Sequence, residues 1–441
     1  MKSNSVLCIK LFLIHILFLL CVILDIFFKD DLFNDSNDFT ISIQKSSNTA
    51  FDIIFLFFCN LMNPITISLL SIIYYSLSKK KIQALVFLIA QILITYINSL
   101  IKMVYHDPRP YWIDSKIIAK ECYLEYGNPS GHSLMATFII GTLWYEIYLL
   151  LHKKKVDDKK NCQEYENVFL EKEHVNESHD DHKKSRIFGF FISVVFIVIL
   201  FLICFGRIYL GMHSYDQVLL GIVYGLYFLL LYYLIFKRFC TAAIIFILKR
   251  SMKARKKHNT CSFAIIFKIS LIYIIFLSIP LSFLEIYQKQ SNDVHPLWKK
   301  NIENSCAIPS KFEAFTEKCY LDTGIIGFAF GVFFGLTMPV GEYNPNLFLG
   351  SFDTTLIAME SSFNFKKGVA RAIITILGSL VWIGVFYFIP HDHSIFSFYF
   401  ININLSSLVA GFALVLFVQY AIFKCKLEND DDIIHFGKIT Y

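Results

Sequence analysis

Three short stretches of this sequence combine positive charges with histidines, a combination suited to binding and cleaving phosphate esters. In the first, Lys102 and Arg109 follow the end of an apolar run. Lysine offers a point charge and arginine a two-pronged donor, and both groups match phosphate oxygens. Alternatively, both side chains reach towards lipid headgroups, with Tyr111 and Trp112 as interfacial aromatic residues. Taken alone, this stretch favours the alternative.

The second stretch, from Pro129 to His132, precedes another long apolar run. Proline fixes the direction in which the chain enters a helix, Ser130 is a favoured N-cap, and Gly131 leaves room for a ligand beside the backbone. A helix start presents unpaired N–H groups and the positive end of the helix dipole, so it binds anions. Beside a bound phosphate His132 could give or take a proton, although a lone histidine there is more often only a polar interfacial residue.

The third stretch contains Arg207 and His213, followed by Asp216 and Gln217. If His213 opens a helix, the side chains three and four positions later lie beneath it and can hydrogen-bond one ring nitrogen. We predict that Asp216 takes this role, because a carboxylate also stabilises a positively charged ring, and that Gln217 is the alternative. The competing interpretation is an interfacial histidine beside a solvated aspartate.

The elements that must position these stretches are membrane helices. The chain has 441 residues, is 56% hydrophobic, and has a mean hydropathy of +0.54, which is too apolar for a soluble protein of this length. We therefore predict an all-α, polytopic integral membrane protein. About ten stretches are long and apolar enough to cross a bilayer: 6–28, 61–78, 82–103, 131–151, 187–206, 214–236, 262–286, 323–340, 369–390 and 400–423.

Charge distribution gives the orientation of these helices. Lysine-rich segments at 79–81, 153–186 and 249–257 fall on one side if the spans alternate, and positive residues mark the cytoplasmic side. We interpret these segments as topology signals rather than as nucleic-acid-binding surfaces. The three polar stretches all fall on the opposite side. Their convergence on one face favours a joint phosphate site over three separate interfacial features.

Together, the three stretches resemble the type 2 phosphatidic acid phosphatase (PAP2) and haloperoxidase superfamily. Lys102 to Pro110 matches the KxxxxxxRP element, Pro129 to His132 matches PSGH, and Arg207 to His213 matches RxxxxxH. The elements occur in the family's order, across roughly residues 55–236. This combination is highly specific.

The resemblance implies a six-helix membrane core, no cofactor or metal in the phosphatase members, and a covalent phosphohistidine route. By motif position, His213 is the expected nucleophile and His132 the acid that protonates the leaving alcohol. The residues expected to hold the phosphate oxygens are Lys102, Arg109, Ser130, Gly131 and Arg207.

Two positions depart from the family pattern. Gly206 stands where a serine is usual, and Gln217 stands where an aspartate usually follows the nucleophile by four residues. Reduced activity is one consequence of these changes. A catalytically silent membrane protein that only binds a headgroup is therefore an alternative to an enzyme.

The expected substrate is a lipid phosphate of the long-chain-base 1-phosphate or phosphatidate class. The sequence RIYLGMHS in the third stretch and the extra spans after the core resemble those of sphingosine-1-phosphate phosphatases. RPYW in the first stretch and the glutamine in the third are similar to glucose-6-phosphatases, so a sugar phosphate is the alternative. We expect the endoplasmic reticulum membrane, or alternatively the plasma membrane, with the site facing the lumen or the exterior. The sequence does not indicate an oligomeric state.

The chain divides into an N-terminal span and lumenal loop (1–50), a PAP2 core (51–240) with a cytoplasmic loop (152–186), and a C-terminal membrane region of about four helices (241–441). Cys306 and Cys319 share one lumenal loop, so they either form a disulfide or stay as free thiols. Glycines at 324, 327, 331 and 335 recur at helix-packing spacing, which predicts close contact between helices rather than chemistry.

Overall fold

The computed structural model describes residues 2–78, 81–166, 175–258, 263–288, 295–306, 315–337, 365–387, 395–418, 421–422 and 425. Within these residues the secondary structure is helical, which confirms the predicted all-α membrane fold. The helices in the first half are α1 (Lys2–Lys45), α2 (Thr49–Leu61), α3 (Pro64–Leu77), α4 (Lys81–Tyr105), α5 (Pro110–Ile113), α6 (Gly131–Glu166), α7 (Val175–Tyr209) and α8 (Tyr215–Leu231).

The second half adds eight helices and several π- or 3₁₀-helical turns in the described residues. A π-helical turn, Tyr232–Phe236, joins α8 to α9. The helices are α9 (Lys237–His258), α10 (Phe263–Gln288), α11 (Pro296–Ser305), α12 (Phe315–Asp322), α13 (Ile326–Thr337), α14 (Phe365–Tyr387), α15 (Ile395–Ser397) and α16 (Ser406–Ala413). A 3₁₀ turn, Thr323–Ile325, connects α12 to α13, and π-helical segments Phe398–Leu405 and Leu414–Val418 flank α16.

Seven described helices are long and apolar enough to cross a membrane, and the bent pair α2–α3 would make an eighth. We predicted about ten, and each of those stretches overlaps a helix, but those at 131–151 and 369–390 are not among these eight. The chain bends by 53° between α2 and α3, where Pro64 opens the second helix. The protein is thus an integral membrane protein, and its described residues contain fewer qualifying helices than predicted.

Two segments predicted as loops are helical instead. α1 continues through the predicted lumenal loop to Lys45, and α6 and α7 extend through the described parts of the predicted cytoplasmic loop, to Glu166 and from Val175. Neither 29–45 nor 152–166 contains glycine or proline. Without those residues a polar sequence continues a helix that an apolar segment has begun.

The two halves of the chain share one core around α4. In the most apolar 18-residue segment of the span that begins with α4, 72% of the residues are buried, whereas in that of α1 the share is 0%. The helix α4 is therefore central and α1 is peripheral. Leu85 of α4 belongs to the same apolar cluster as Val332 of α13 and Leu414. The predicted boundary at 240 lies inside a continuous helix, Tyr215–Leu248. The second half therefore packs directly against the helices that carry the polar stretches.

The glycine prediction for the eighth span is confirmed. A Cβ atom on Gly327 would lie 2.4 Å from the carbonyl oxygen of Asn404, and one on Gly331 would lie 1.9 Å from that of Leu408. Neither position tolerates a side chain without moving backbone. The glycines thus permit α13 and α16 to pack with their backbones in contact.

Candidate active site

The structure brings the three polar stretches together at one end of the helices. Lys102 lies in the last turn of α4, α6 begins at Gly131, α7 ends just after Arg207, and α8 begins just after His213. Gly131 is partly exposed, and the other predicted site residues are buried: Lys102, Arg109, Ser130, His132, Arg207, His213, Asp216 and Gln217. Buried cations require hydrogen-bonding or charged partners, so the contacts of these cations determine what the site can bind.

His213 is held at both ring nitrogens. Its Nδ1 lies 3.1 Å from Oε1 of Gln217, and its Nε2 lies 3.2 Å from Nη1 of Arg109. The amide of Gln217 is itself oriented, because its Nε2 donates to the carbonyl oxygen of Pro108 at 2.8 Å. The amide oxygen therefore faces the ring.

These partners determine where the ring proton lies. An amide oxygen only accepts hydrogen bonds, so Nδ1 must carry the proton, and a guanidinium only donates, so Nε2 presents its lone pair to Arg109. Burial lowers the pKa of His213 well below its ordinary value, and the charges of Arg109 and Arg207 lower it further. The ring is neutral at neutral pH, with Nε2 available as a nucleophile.

The structure does not support Asp216 as the residue that orients His213. Ser214, in an extended conformation, precedes the first residue of α8, so His213 lies before the helix and the assumed spacing of three does not apply. Oδ1 of Asp216 is buried without a hydrogen-bond partner among the described residues. Gln217, the alternative, occupies the position beside Nδ1.

Lys102 and Arg109 both contact one carboxylate that lies outside the three motifs. Oε1 of Glu125 lies 2.8 Å from Nζ of Lys102 and 3.1 Å from Nη2 of Arg109. Burial alone would raise the pKa of Glu125, but the two cations hold it below its ordinary value. Glu125 thus carries a negative charge where the first stretch was predicted to bind phosphate.

Arg207 is paired on one side and open on the other. Its Nη1 lies 2.7 Å from Oε2 of Glu121, while Nε and Nη2 are buried without a hydrogen-bond partner among the described residues. The guanidinium groups of Arg207 and Arg109 lie 5.4 and 5.1 Å from the ring centre of Tyr123. Unused buried donors are costly in a resting protein and suit an anion that binds later.

The start of α6 is capped by a side chain and tied to the start of α8. Ser130 Oγ accepts a hydrogen bond from the N–H of Ser133 at 3.4 Å, so Ser130 caps the helix. The N–H of Ser130 donates to the carbonyl oxygen of Gln217 at 2.9 Å, which ties this helix start to α8. The N–H groups of Gly131 and His132 lie in the first turn, where helices lack internal acceptors.

Comparison with known proteins agrees with this geometry. Residues 83–240 match the model of the PAP2 superfamily. These matched residues are called the PAP2 domain. The chain is similar to lipid phosphate phosphatase delta of Arabidopsis thaliana, with 26% identity over 191 residues, which are 42% of this chain and 38% of that protein. The chain thus covers well under two thirds of that relative's length. No solved structure matches the chain.

A cavity of about 360 Å³ opens beside His132 of the PAP2 domain. It is lined by His132, Gly131, Glu125 and Tyr123, by apolar side chains of the membrane helices, and by further polar side chains that include Gln91, Thr95 and Asn98. Helices from both halves form the apolar walls: Met62 and Ile67, Leu88 and Ile92, Met135, Leu321 and Ile325, and Ile403. The second half of the chain therefore contributes directly to the site.

Residues outside the three motifs fix the relative positions of the site residues. A Cβ atom on Gly127 would lie 2.5 Å from Oε1 of Gln217, so only glycine leaves space for that amide. Nε2 of Gln44, from α1, donates to the carbonyl oxygens of Tyr209 and Ile118 at 2.9 and 3.0 Å. Oγ of Ser36 accepts from the N–H of Tyr215 at 3.1 Å. An isolated glycine before a helix was visible in the sequence, but these long-range contacts were not.

The disulfide differs from the predicted pair. Cys306 is bonded to Cys122, and Cys319 is a buried free thiol. The predicted pairing considered only cysteines in one loop, whereas the fold brings the loop after α5 against the end of α11. Cys122 lies between Glu121 and Tyr123, so the bond attaches the part of the PAP2 domain that contacts both arginines to the second half of the chain.

Proposed function

We propose that this protein is a membrane-embedded phosphomonoesterase that removes phosphate from a lipid phosphate through a phosphohistidine intermediate and without a metal. One observation carries the proposal. Nε2 of His213 is the unprotonated ring nitrogen, and it lies 3.2 Å from Nη1 of Arg109, among buried cations. A phosphoryl group in transfer needs fixed positive charges and a positioned nucleophile. The similarity to the Arabidopsis protein, whose name is lipid phosphate phosphatase, agrees with it.

In the proposed reaction, phosphate oxygens replace Glu125 on Lys102 and Arg109 and also bind the open side of Arg207. Nε2 of His213 attacks phosphorus, so a P–N bond forms and the ester P–O bond breaks. His132, protonated once the negatively charged phosphate is bound beside it, gives this proton to the departing alkoxide. Water then attacks phosphorus and gives a proton to His132, the P–N bond breaks, and inorganic phosphate leaves.

The cavity beside His132 supports a lipid as the leaving group. Most of its lining surface is apolar and comes from several membrane helices, including Leu88, Ile92 and Ile403. An alkyl chain is stabilised by such apolar surface. The polar side chains of Gln91, Thr95 and Asn98 also line the cavity, and they could serve a sugar, so they support the alternative substrate. The contact between Gln217 and His213 supports the sugar-phosphatase alternative, because glutamine at this position is the glucose-6-phosphatase-like feature.

The deciding experiment compares phosphate release from a long-chain-base phosphate and from glucose-6-phosphate by the purified full-length protein. We expect release from the lipid, complete loss with His213→Ala, and no effect of EDTA, because the proposed nucleophile is a side chain. Activity lost in EDTA and restored by magnesium would contradict the mechanism. Lipid binding without any phosphate release would favour the silent headgroup-binding alternative.

We also propose that the site faces the lumen of the endoplasmic reticulum or the cell exterior. The Cys122–Cys306 bond lies on the same face as the site, and disulfides persist in oxidising compartments. The sequon at Asn34 lies in α1 near this face, whereas the one at Asn176 lies near the other end, at the start of α7. Glycan mapping in a eukaryotic host should find sugar only at Asn34, and a glycan at Asn176 would reverse the orientation.

A further inference from the structure

A set of hydrogen bonds links the first two motif stretches to the start of α8. Nε2 of Gln217 donates to the carbonyl oxygen of Pro108 at 2.8 Å, and the carbonyl oxygen of Gln217 accepts from the N–H of Ser130 at 2.9 Å. The side-chain oxygen of Gln217 lies 3.1 Å from Nδ1 of His213. The direction of the His213 ring therefore depends on where the chain places Pro108 and Ser130.

Asp107 joins the segments that lead into Pro108 and Ser130. Its carbonyl oxygen accepts from the N–H of Gly127 at 2.8 Å, and its Oδ2 accepts from Nδ2 of Asn128 at 2.9 Å. Asp107 directly precedes Pro108, and Asn128 is two residues before Ser130. The hydrogen bonds of Asp107 and those of Gln217 thus form a closed ring with the chain segments between them.

Lys29 reaches this ring from outside the PAP2 domain. It lies in α1, whereas the PAP2 domain begins at residue 83. Its Nζ donates to Oδ1 of Asp107 at 3.2 Å, so the two carboxylate oxygens have separate partners, Lys29 and Asn128. The Asp107 side chain is 15% exposed. A carboxylate that is mostly removed from water needs such donors to stay ionised in a fixed position.

Lys29 also offsets repulsion among neighbouring acidic side chains. Asp25 and Asp216 both interact electrostatically with Asp107. The ammonium group of Lys29 interacts with Asp25 as well as with Asp107. Ionised carboxyl groups in such proximity repel one another, so without Lys29 the Asp107 side chain would turn towards water or take up a proton. Either change weakens its contact with Asn128.

We propose that Lys29 is a positioning residue that acts on His213 through Asp107. The ion pair fixes the segment that contains Pro108, and Pro108 in turn holds the amide of Gln217. The helix α1 thus takes part in catalysis, although it lies outside the PAP2 domain and Lys29 touches no reacting atom. This assignment rests on the proposed phosphatase function and adds a residue to its machinery.

The test measures steady-state kinetics of full-length variants on a lipid phosphate. Lys29→Met should lower kcat on the order of tenfold, because a small displacement of the nucleophile is costly, while KM changes little because no cavity residue is altered. Lys29→Arg keeps the charge and should recover most of kcat. The matched control is Lys45→Met, which removes an exposed lysine at the end of the same helix and should leave kcat unchanged.

A double variant tests the route through Asp107. Lys29→Met combined with Asp107→Asn removes both charges, and it should lose no more kcat than Asp107→Asn alone. Additive losses, or a wild-type kcat in Lys29→Met, would overturn the assignment. An equal fall in kcat in Lys45→Met would overturn it too, since any charge lost from α1 would then have the same effect. Failure of the phosphatase proposal looks different, because the wild type itself would then release no phosphate.

Discussion

The phosphate end and the leaving-group end of the candidate site are built in different ways. At the phosphate end, both ring nitrogens of His213 have partners, and Gln217 is fixed in turn by Pro108. At the leaving-group end, the ring centres of His132 and Tyr123 lie 6.1 Å apart in an edge-to-face arrangement, and His132 borders an open cavity. At the phosphate end the side chains are fixed by hydrogen bonds, whereas the leaving-group end is an open space lined by both apolar and polar side chains.

The two ends also differ in where their residues come from. The phosphate end uses residues of the PAP2 domain, supported by Gln44 and Ser36 of α1. The leaving-group end takes part of its wall from the second half of the chain, including Leu321 and Ile403. We infer that the first region determines the reaction and that the second determines which molecule undergoes it. Substitutions at the two ends should therefore affect different kinetic parameters.

The largest effect we predict in this comparison is from Gln217→Ala. It removes the acceptor for Nδ1–H, so the ring can rotate or change tautomer, and kcat should fall on the order of a hundredfold. Asp216→Asn should have little effect, because Gln217 rather than Asp216 contacts His213. Steady-state kinetics on a lipid phosphate measure both variants. An inactive Asp216→Asn beside an active Gln217→Ala would restore the original prediction for the aspartate.

The replacement of Asp216 by Gln217 as the partner of His213 shows what the sequence could predict and what it could not. Span counting placed the helix ends that carry Lys102, Arg109, Ser130, Arg207 and His213 on one face, and in the structure these residues lie at one end of the helices. The choice between Asp216 and Gln217 depended on where α8 begins, and a shift of two residues changes which side chain faces the ring. Helix boundaries are local details that depend on tertiary contacts, here the cap that Ser36 provides.

Other features were not predictable because they depend on contacts distant in sequence. Glu121 and Glu125 gave no local signal, and their role follows from the buried arginines and lysine that they neutralise. The Cys122–Cys306 pair spans 184 residues. The extension of α1 to Lys45 is a different case, since the absence of glycine and proline in 29–45 already favoured helix.

A second prediction tests the phosphate end without touching a residue that contacts His213. A Cβ atom on Gly127 would lie 2.5 Å from the amide oxygen of Gln217, so Gly127→Ala should push this side chain away from the ring. We expect kcat to fall on the order of tenfold while KM changes little.

The matched control is the double variant Gly127→Ala with Gln217→Ala. If Gly127 acts only through Gln217, the glycine substitution should have no further effect once the amide is gone. Additive losses in the double variant would show that the alanine disturbs the fold by another route, and equal Tm values in detergent would be required to accept the positioning role.

The smallest predicted effect concerns the leaving-group end. Ile403 comes from the π-helical segment before α16 and lines the cavity far along the chain from the PAP2 motifs. Ile403→Trp should shorten the space for an alkyl chain, which lowers kcat/KM for a long-chain phosphate by about tenfold or less. Hydrolysis of a short, soluble phosphate ester should be unaffected, because that ester uses only the phosphate end. Equal losses on long and short substrates would mean that the second half of the chain stabilises the site instead of selecting the substrate, and the division between the two ends would fail.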